Sequence, residues 1–376
     1  MGAADLDGHD RWTPPCTGLL HVVGGSRQYT EVSTPDPYPD QVTLADVQAA
    51  ANALVGVAVR TPLLAFGPFD DEVGAPRAWL KPENLQPVGA FKIRGAYNAL
   101  ATLSPEDKDR GVVTHSSGNH AQGVARAARM LGRMRAVIVM PEDAPAIKVE
   151  GVRADGAEIV FVGADNEERM AVAHQLAEEQ GLVPLSSFDD ARIVAGQGTV
   201  GLEIVDQVAE MGRANKPLTV FVPIGGGGLS SGVCVAIKSL RPDATVIGVE
   251  PELAADAAES LREGRIVRWG PELTGRTIAD GVRTSAVGRI PWAQLSRLID
   301  DIVTVSEDEI KRAMLEAALR SRIVAEPSGA VSIAGWLRYG AELPDADESD
   351  TVIVVSGGNI DPATYRALMA EAAALK

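Results

Sequence analysis

Short runs of β-branched and apolar residues recur along the chain, and stretches with a helical apolar period separate them. The clearest strand predictions are continuous apolar runs without polar alternation, at residues 111–114, 136–140, 158–162, 218–223, 245–249 and 351–355. Helix predictions between and after them fall at 118–131, 167–180, 229–240 and 307–319. Continuous apolar strands that alternate with helices indicate a parallel sheet covered on both faces. The predicted class is therefore α/β.

The length of the chain sets its organisation. Its 376 residues can form two domains. Residues 1–40 read as a loose N-terminal extension, because paired prolines and glycines interrupt them without a sustained period. Thr43, with Asp46 three residues later, forms a capping box that predicts the first helix. Beyond it we expect a large domain from 41–110 and 190–376, with a smaller domain at 111–189.

Charge and composition exclude several classes of partner. The chain carries 35 Lys and Arg against 51 Asp and Glu, a net charge of −16. Nucleic acid or an anionic membrane surface would favour a basic protein, and no apolar run of about 18 residues could span a bilayer. Two cysteines, Cys16 and Cys234, cannot build a disulfide framework, and the first residues lack a signal-peptide pattern. We expect a cytoplasmic protein.

Four consecutive glycines, Gly225 to Gly228, separate a predicted strand from a predicted helix. Ligands bind at the carboxyl ends of parallel strands, and bare backbone N–H groups at a helix N-terminus suit a phosphate. A tight turn would need only one or two glycines. The loop is not a Walker A motif, since no Gly-Lys-Ser/Thr follows, and Ser230 and Ser231 replace the third glycine of the dinucleotide fingerprint. The loop predicts a small monophosphate ligand.

Lys92 is the candidate nucleophile among eight lysines. It lies between small and apolar residues at a predicted helix start, where desolvation and the helix dipole would lower its pKa. Alone, the segment would fit a snorkelling surface lysine. Most of the other lysines lie in polar stretches typical of solvated surface. A poised lysine together with a monophosphate loop predicts pyridoxal phosphate, bound to Lys92 as a Schiff base.

Seven motifs then place the chain beside a known family. They stand at residues 90–96, 116–123, 195–199, 225–228, 277–281, 326–328 and 356–359. In this order they resemble the fold-type II pyridoxal-phosphate serine/threonine dehydratases and the related serine racemases. Cysteine and threonine synthases typically carry Lys-Asp-Arg where this chain has Lys92-Ile93-Arg94, so the resemblance points to the dehydratase branch. It implies a tryptophan-synthase-β-like fold with two open α/β domains and the cofactor in the cleft.

The resemblance also implies a role for each matched residue at the cofactor. Lys92 resembles the lysine that carries the cofactor, and Ser356 the residue that faces the pyridine nitrogen. A hydroxyl there cannot hold a stable pyridinium, which favours β-elimination over a long-lived carbanion. The remaining matches are Phe91 beside the ring, Asn119 at the 3-hydroxyl, and Gly225, Gly226, Gly227, Gly228 and Leu229 around the phosphate.

Substrate and metal positions follow from the same resemblance. Ser116 and His120 resemble the substrate-carboxylate site. Arg169 matches an arginine that racemases use for the same purpose, although a charge on a helix surface is an equal reading. In racemases a divalent cation such as Mg²⁺ binds at positions that match Glu250, Ala254 and Asp256, and carboxylate and carbonyl oxygens suit it. An acidic turn is the alternative.

The implied activity is dehydrative deamination of L-threonine or L-serine to 2-oxobutanoate or pyruvate plus ammonia. Lys92 would remove the Cα proton before the β-hydroxyl leaves. Ser117 matches the second base of the racemases, so serine racemase and 3-hydroxyaspartate dehydratase activity stay open. The segment 186–188 and Thr284 depart from the family pattern and leave the substrate undecided. The resemblance also implies a homodimer.

Overall fold

The computed structural model describes residues 41–67, 78–116, 118–144, 146–163, 166–343 and 349–375. The predicted extension at 1–40 and the candidate base Ser117 lie outside these ranges. The first described helix begins after Thr43, whose hydroxyl accepts a hydrogen bond from the Asp46 N–H. The Asp46 carboxylate in turn accepts from the Thr43 N–H at 2.8 Å, so the predicted capping box is confirmed.

The strands of the described residues form two sheets. One has the order β1-β2-β10-β7-β8-β9 and the other β5-β4-β3-β6. All neighbouring strands run parallel except β1 and β2, which are antiparallel. The strands are Leu64–Ala65 (β1), Ala78–Pro82 (β2), Val112–His115 (β3), Ala136–Pro141 (β4), Glu158–Val162 (β5), Val183–Pro184 (β6), Leu218–Pro223 (β7), Thr245–Pro251 (β8), Asp301–Val305 (β9) and Asp350–Val355 (β10).

Helices follow most of the strands along the chain and cover the sheets. They are Leu44–Ala53 (α1), Lys92–Ala101 (α2), Pro105–Arg110 (α3), Asn119–Met130 (α4), Ala146–Ala154 (α5), Asn166–Gln180 (α6), Ala191–Glu210 (α7), Gly228–Leu240 (α8), Asp256–Glu263 (α9), Pro271–Thr274 (α10), Arg289–Leu298 (α11), Glu307–Glu316 (α12), Pro327–Tyr339 (α13) and Pro362–Ala374 (α14). The prediction at 307–319 ends early, because a π-helical turn, Ala317–Ser321, follows α12.

Strand β10 shows why the apolar runs predicted the class correctly. Ile353 and Val355 belong to the apolar cluster on one face of the six-stranded sheet, which includes α12 and α13. Val352 and Val354 belong to the cluster on the other face, which includes α7, α8 and α11. Both faces are thus buried, as a continuous apolar strand requires. The predicted α/β class is therefore confirmed.

Sequence reading did not find the strands β1, β2, β6 and β9. Two of them have only two residues, and β2 contains Lys81 and Pro82, which break an apolar pattern. Lys81 is nevertheless fully buried. The reading of lysines outside position 92 as mostly solvated surface is therefore wrong at Lys81, and it is also wrong at Lys148, which is 5% exposed.

Close packing of glycines sets the position of α2. A Cβ built on Gly196 of α7 would lie 2.6 Å from the Gly95 Cα, so the two helices approach to backbone contact. The Gln197 side chain accepts a hydrogen bond from the Gly95 N–H at 3.1 Å. Because α2 begins at Lys92, these contacts fix the residue from which that side chain extends.

Candidate active site

A cleft opens where loops at the carboxyl ends of β3, β7 and β10 meet the start of α2. Strand β3 belongs to the four-stranded sheet and the other two to the six-stranded sheet, so both contribute walls. The structure brings most of the predicted cofactor and substrate residues together here. Those that line the cleft are Phe91, Lys92, Ser116, Asn119, His120, Gly225, Gly226, Gly227, Gly228, Leu229 and Ser356.

Lys92 enters the cleft from the first position of α2. Its Nζ donates a hydrogen bond to the Ser187 carbonyl oxygen at 3.0 Å, and it lies 5.1 Å from the centroid of the Phe91 ring. No carboxylate among the described residues forms an ion pair with it. Burial lowers the pKa of Lys92 from 10.5 to about 8. The amine therefore loses its proton more readily than an exposed lysine, and its neutral form can act as a nucleophile or base.

The four glycines form a cradle that a side chain would fill. A Cβ on Gly226 would lie 2.2 Å from the nearest ring atom of Phe188, and one on Gly225 would lie 2.9 Å from the Val282 Cα. Gly227 has φ +88°, a conformation that glycine adopts without strain. The helix α8 begins at Gly228, so its N-terminus faces the cleft. Bare backbone at a helix N-terminus fits a phosphate group.

The segment before Lys92 is joined to the loop after β10. The Phe91 N–H donates to the Ser356 carbonyl oxygen at 3.1 Å, and Ala90 pairs with Gly357 in an isolated antiparallel bridge. The Ser356 hydroxyl donates to the Ser328 carbonyl oxygen at 3.3 Å. Ser356 therefore presents a neutral hydroxyl to the cleft.

Asn119 is held by two side chains. Its amide nitrogen donates to Glu326 Oε1 at 2.5 Å, and its amide oxygen accepts from the Asn359 amide at 2.8 Å. Burial, and then the charge of Asp280, raises the pKa of Glu326 to about 7. Glu326 and Asp280 both stand in motifs noted in the sequence, but no role was inferred for either.

His120 points into the cleft and is 2% exposed. Neither ring nitrogen has a hydrogen-bond partner among the described residues. Burial, and then the charge of Lys92, lowers the pKa of His120 well below its ordinary value, so the ring is neutral. Nearby, the Ser116 hydroxyl accepts from the Gly118 N–H at 3.3 Å. The two unpartnered His120 nitrogens are available to a ligand.

Lys148 and Asp280 line the cleft and were missed as site residues. The Lys148 Nζ lies 2.6 Å from Asp280 Oδ2. The available signal was weak: Lys148 has apolar neighbours, Ile147 and Val149, much as Lys92 lies between Phe91 and an isoleucine. Asp280 itself lies in one of the quoted motifs. Lys148 and Asp280 are 132 residues apart in the chain, so neighbouring residues in the sequence could not predict that they form an ion pair.

Arg169 does not line the cleft. It is a residue of α6. Burial, and then the Arg169 guanidinium, lowers the pKa of His115, the last residue of β3. The Arg169 charge thus acts on His115, the residue before Ser116.

The predicted metal positions lie at the end of β8 and the start of α9. The Glu250 carboxylate accepts from the N–H groups of Ala257 at 3.1 Å and Ala258 at 2.7 Å. Neither oxygen of the buried Asp256 carboxylate accepts a hydrogen bond of normal geometry among the described residues, although the Val287 N–H lies near it. Burial raises the pKa of Asp256 to about 7 and that of Glu250 well above its ordinary value. No cluster of three or more metal-binding His, Cys, Asp or Glu side chains occurs in the described ranges.

Among the helices that the structure describes, none combines the length and apolar character that crossing a membrane requires.

Comparison with known proteins agrees with this geometry. A family described as pyridoxal-phosphate dependent enzymes matches residues 56–357. An L-threo-3-hydroxyaspartate ammonia-lyase of Saccharomyces cerevisiae is 40% identical over 327 residues, which cover 87% of this chain and 96% of that protein. An L-threonine ammonia-lyase of Thermotoga maritima is 42% identical over 321 residues, 85% of this chain and 76% of that one.

Solved structures show the same likeness. A threonine deaminase from T.th. has a TM-score of 0.78 and 43% identity, covering 85% of this chain and 99% of that chain. A maize serine racemase has a TM-score of 0.79 and 37% identity, covering 88% and 97%. The family match spans most of the chain and includes the cleft lysine and the glycine cradle. The chain therefore belongs to the pyridoxal-phosphate-dependent enzymes of fold type II.

Proposed function

We propose that this enzyme is an ammonia-lyase that converts L-threonine or L-serine to 2-oxobutanoate or pyruvate plus ammonia. One observation carries the proposal: the Lys92 amine, with its pKa lowered to about 8, stands in one cleft with the glycine cradle and the Ser356 hydroxyl. Relatives named threonine ammonia-lyase and threonine dehydratase support the same activity.

The residues present fit pyridoxal phosphate. Lys92 would bind its aldehyde carbon, and the cradle that a Cβ would fill would take its phosphate. Asn119 would contact the 3-hydroxyl and Ser356 the ring nitrogen, with Phe91 beside the ring. When bound, pyridoxal phosphate supplies an electron-accepting ring that stabilises negative charge at the substrate Cα.

The protein groups then move the proton and orient the substrate. The neutral Lys92 amine accepts the Cα proton, which suits a base whose pKa lies near the working pH. The electron pair left by that proton forms the Cα–Cβ double bond as the Cβ–O bond breaks, and the departing hydroxide takes the proton from Lys92 to leave as water. Ser116 and His120 hold the substrate, and the burial around them limits the access of water. The released enamine hydrolyses to the oxo acid and ammonia.

Oxo-acid release from L-threonine and L-serine by the purified holoenzyme tests this activity. Lys92→Ala should lower turnover by at least about 10³-fold, because both the cofactor attachment and the base are lost. Lys238→Ala is the matched control, since Lys238 is paired with Asp300 and does not line the cleft. Turnover that survives in Lys92→Ala, or equal losses in both variants, would contradict the proposal.

A second candidate is activity on 3-hydroxyaspartate, with racemisation of serine as a related alternative. The hydroxyaspartate ammonia-lyases of Saccharomyces cerevisiae and a Pseudomonas species are each 40% identical to this chain, and serine racemases share its fold. A panel of the three hydroxyamino acids, followed by a chiral assay for D-serine, separates these activities. Ser117→Ala should abolish D-serine formation if Ser117 is the second base, and a wild type that forms none excludes racemisation.

We also propose a divalent cation between Glu250, the Ala254 carbonyl and Asp256. The support is the pair of buried oxygens on Asp256, which suit a hard cation such as Mg²⁺. Mg²⁺ should raise the melting temperature of the wild type, EDTA should reverse the effect, and Asp256→Asn should remove it. A melting temperature that does not respond to Mg²⁺ would refute the site. The two-domain division, the homodimer and the cytoplasmic location stay predictions.

A further inference from the structure

One ion pair joins the two sides of the cleft. Lys148 belongs to α5, which packs against α4 beside the four-stranded sheet. Asp280 belongs to the loop after α10, whose apolar neighbours pack on the six-stranded sheet. The Lys148 Nζ lies 2.6 Å from Asp280 Oδ2, and both residues line the cleft. The mechanism above uses neither residue.

The Lys148 ammonium also faces the loop assigned to the substrate. A Cβ built on Gly118 would lie 3.5 Å from the Lys148 Nζ, so the ammonium packs directly on this glycine. Gly118 stands between Ser116 and Asn119, at the start of α4. The loop that contains Ser116 and Gly118 is therefore in contact with the Lys148 ammonium, which is paired with Asp280.

The cleft has few other positive groups. Of the described lysines and arginines, only Lys92 and Lys148 line it. Lys92 holds the cofactor and transfers the proton, so it is not available to bind a carboxylate. The His120 ring is neutral and offers no positive charge. Asp280 and Glu326 contribute acidic groups to the same wall. Without Lys148, a substrate carboxylate would meet acidic groups and no fixed cation.

We propose that Lys148 binds the α-carboxylate of the substrate, and that Asp280 holds the ammonium in position until the carboxylate arrives. This deepens the proposed function and rests on it: the substrates are amino acids with a free α-carboxylate rather than amides or esters. Asp280 acts as a positioning residue, because its carboxylate contacts Lys148 and Ser328 and would act on the substrate only through Lys148.

An opposite reading treats the same pair as a contact that only keeps the cleft closed. The two readings predict opposite effects of removing Asp280 on the affinity for a carboxylate ligand. If the pair acts only as a closing contact, removing either partner weakens every ligand alike. If Lys148 binds the carboxylate, removing Asp280 leaves an unneutralised ammonium and does not weaken a carboxylate ligand.

The test is a titration of the holoenzyme with L-alanine and with L-alaninamide, followed by the cofactor absorbance. L-alanine has no β-hydroxyl, so binding is measured without elimination. Lys148→Met should weaken L-alanine about 10- to 100-fold, the range expected for a charge-assisted hydrogen bond, and alaninamide less than about 3-fold. Lys148→Arg should stay within about 5-fold of wild type. Asp280→Asn should bind L-alanine as tightly as wild type or more tightly, and Lys238→Met should be unchanged.

Equal weakening of both ligands by Lys148→Met and Asp280→Asn would overturn the proposal in favour of a closing contact. L-alanine binding unchanged in Lys148→Met would also overturn it. Should that variant fail to retain cofactor, Lys148→Gln replaces it with the same expectation. A wild type that binds L-alanine but releases no oxo acid from any hydroxyamino acid would refute the proposed function alone.

Discussion

Arg94 and Lys92 lie two positions apart on α2, and the surroundings of these two basic side chains are built in opposite ways. Arg94 does not line the cleft, is 1% exposed and has two carboxylate partners. Its Nε lies 2.7 Å from Glu83 Oε2 and its Nη1 lies 2.7 Å from Glu203 Oε1. Lys81 joins the same cluster through Glu203 at 2.5 Å and the Thr61 carbonyl at 2.8 Å.

Lys92, which faces the cleft, has only the neutral Ser187 carbonyl as a hydrogen-bond partner among the described residues. Glu326 Oε2 and both nitrogens of His120 are buried without partners there. Burying a charge without a neutralising partner lowers the free energy of unfolding, so the groups of the cleft destabilise the folded protein. The charge of Arg94, in contrast, is neutralised by its carboxylate partners. The contrast teaches that one helix can carry a neutralised cation and an unneutralised one two positions apart, with the unneutralised one facing the cleft.

The largest effect is expected from breaking the cluster around Arg94. Arg94→Met leaves Glu83 and Glu203 with Lys81 as their remaining cation in the cluster. Loss of one partner from a buried pair typically lowers the free energy of unfolding by about 3–5 kcal/mol. Urea denaturation of the apoprotein measures this loss. Arg338→Met, in an exposed pair with Glu252 and Glu309, should cost at most about 1 kcal/mol, and equal losses would erase the distinction.

Removing Lys92, which has no carboxylate partner, should raise the stability of the apoprotein, whereas removing Arg94 should lower it. With its pKa lowered to about 8, Lys92 binds fewer protons when folded than when unfolded. Stability therefore rises as the pH increases from about 8 to 10.5, and the full penalty is present below about pH 8. Lys92→Met should stabilise the apoprotein at pH 7 by about 1–3 kcal/mol, since the side chain keeps some exposure to the cleft. The gain should shrink toward about pH 10. A destabilised variant at neutral pH would contradict this account.

A smaller effect on stability is expected at Glu326, whose pKa is raised, whereas that of Lys92 is lowered. Its pKa of about 7 means that the folded protein binds the extra proton between pH 4.5 and 7, so stability falls as the pH rises through this window. Glu326→Gln keeps an acceptor for Asn119 and cannot ionise. The variant should match wild type at about pH 4.5 and be more stable by about 1–2 kcal/mol at about pH 8. A difference that is the same at both pH values would show that ionisation is not the cause.

The sequence predicted those strands, loops and helix starts that are determined by residues adjacent in the chain. The continuous apolar runs at 218–223 and 351–355 became buried strands, because a strand covered on both faces has no place for polar residues. The tetraglycine and the small residues around Lys92 predicted a bare loop and a helix start, and α8 and α2 begin there.

The remaining features depend on partners far away in sequence. Lys81 is buried because Glu203, 122 residues later, neutralises it, and Lys148 is buried because Asp280, 132 residues later, does so. Neither partner is visible in a local window, so both lysines resemble surface residues in the sequence. The raised pKa of Glu326 likewise follows from burial and from Asp280, which only the fold brings near.

The bridge between Ala90 and Gly357, with the bond from Phe91 to Ser356, has a mechanical consequence. It makes the attachment lysine and the hydroxyl beyond β10 parts of one hydrogen-bonded piece of backbone. Helix α2 also packs against the four-stranded sheet, because Ile93 lies in one apolar cluster with β3, β4 and α4. The attachment lysine is therefore tied to both sheets, and a displacement of the loop after β10 would move Lys92 and Ser356 together.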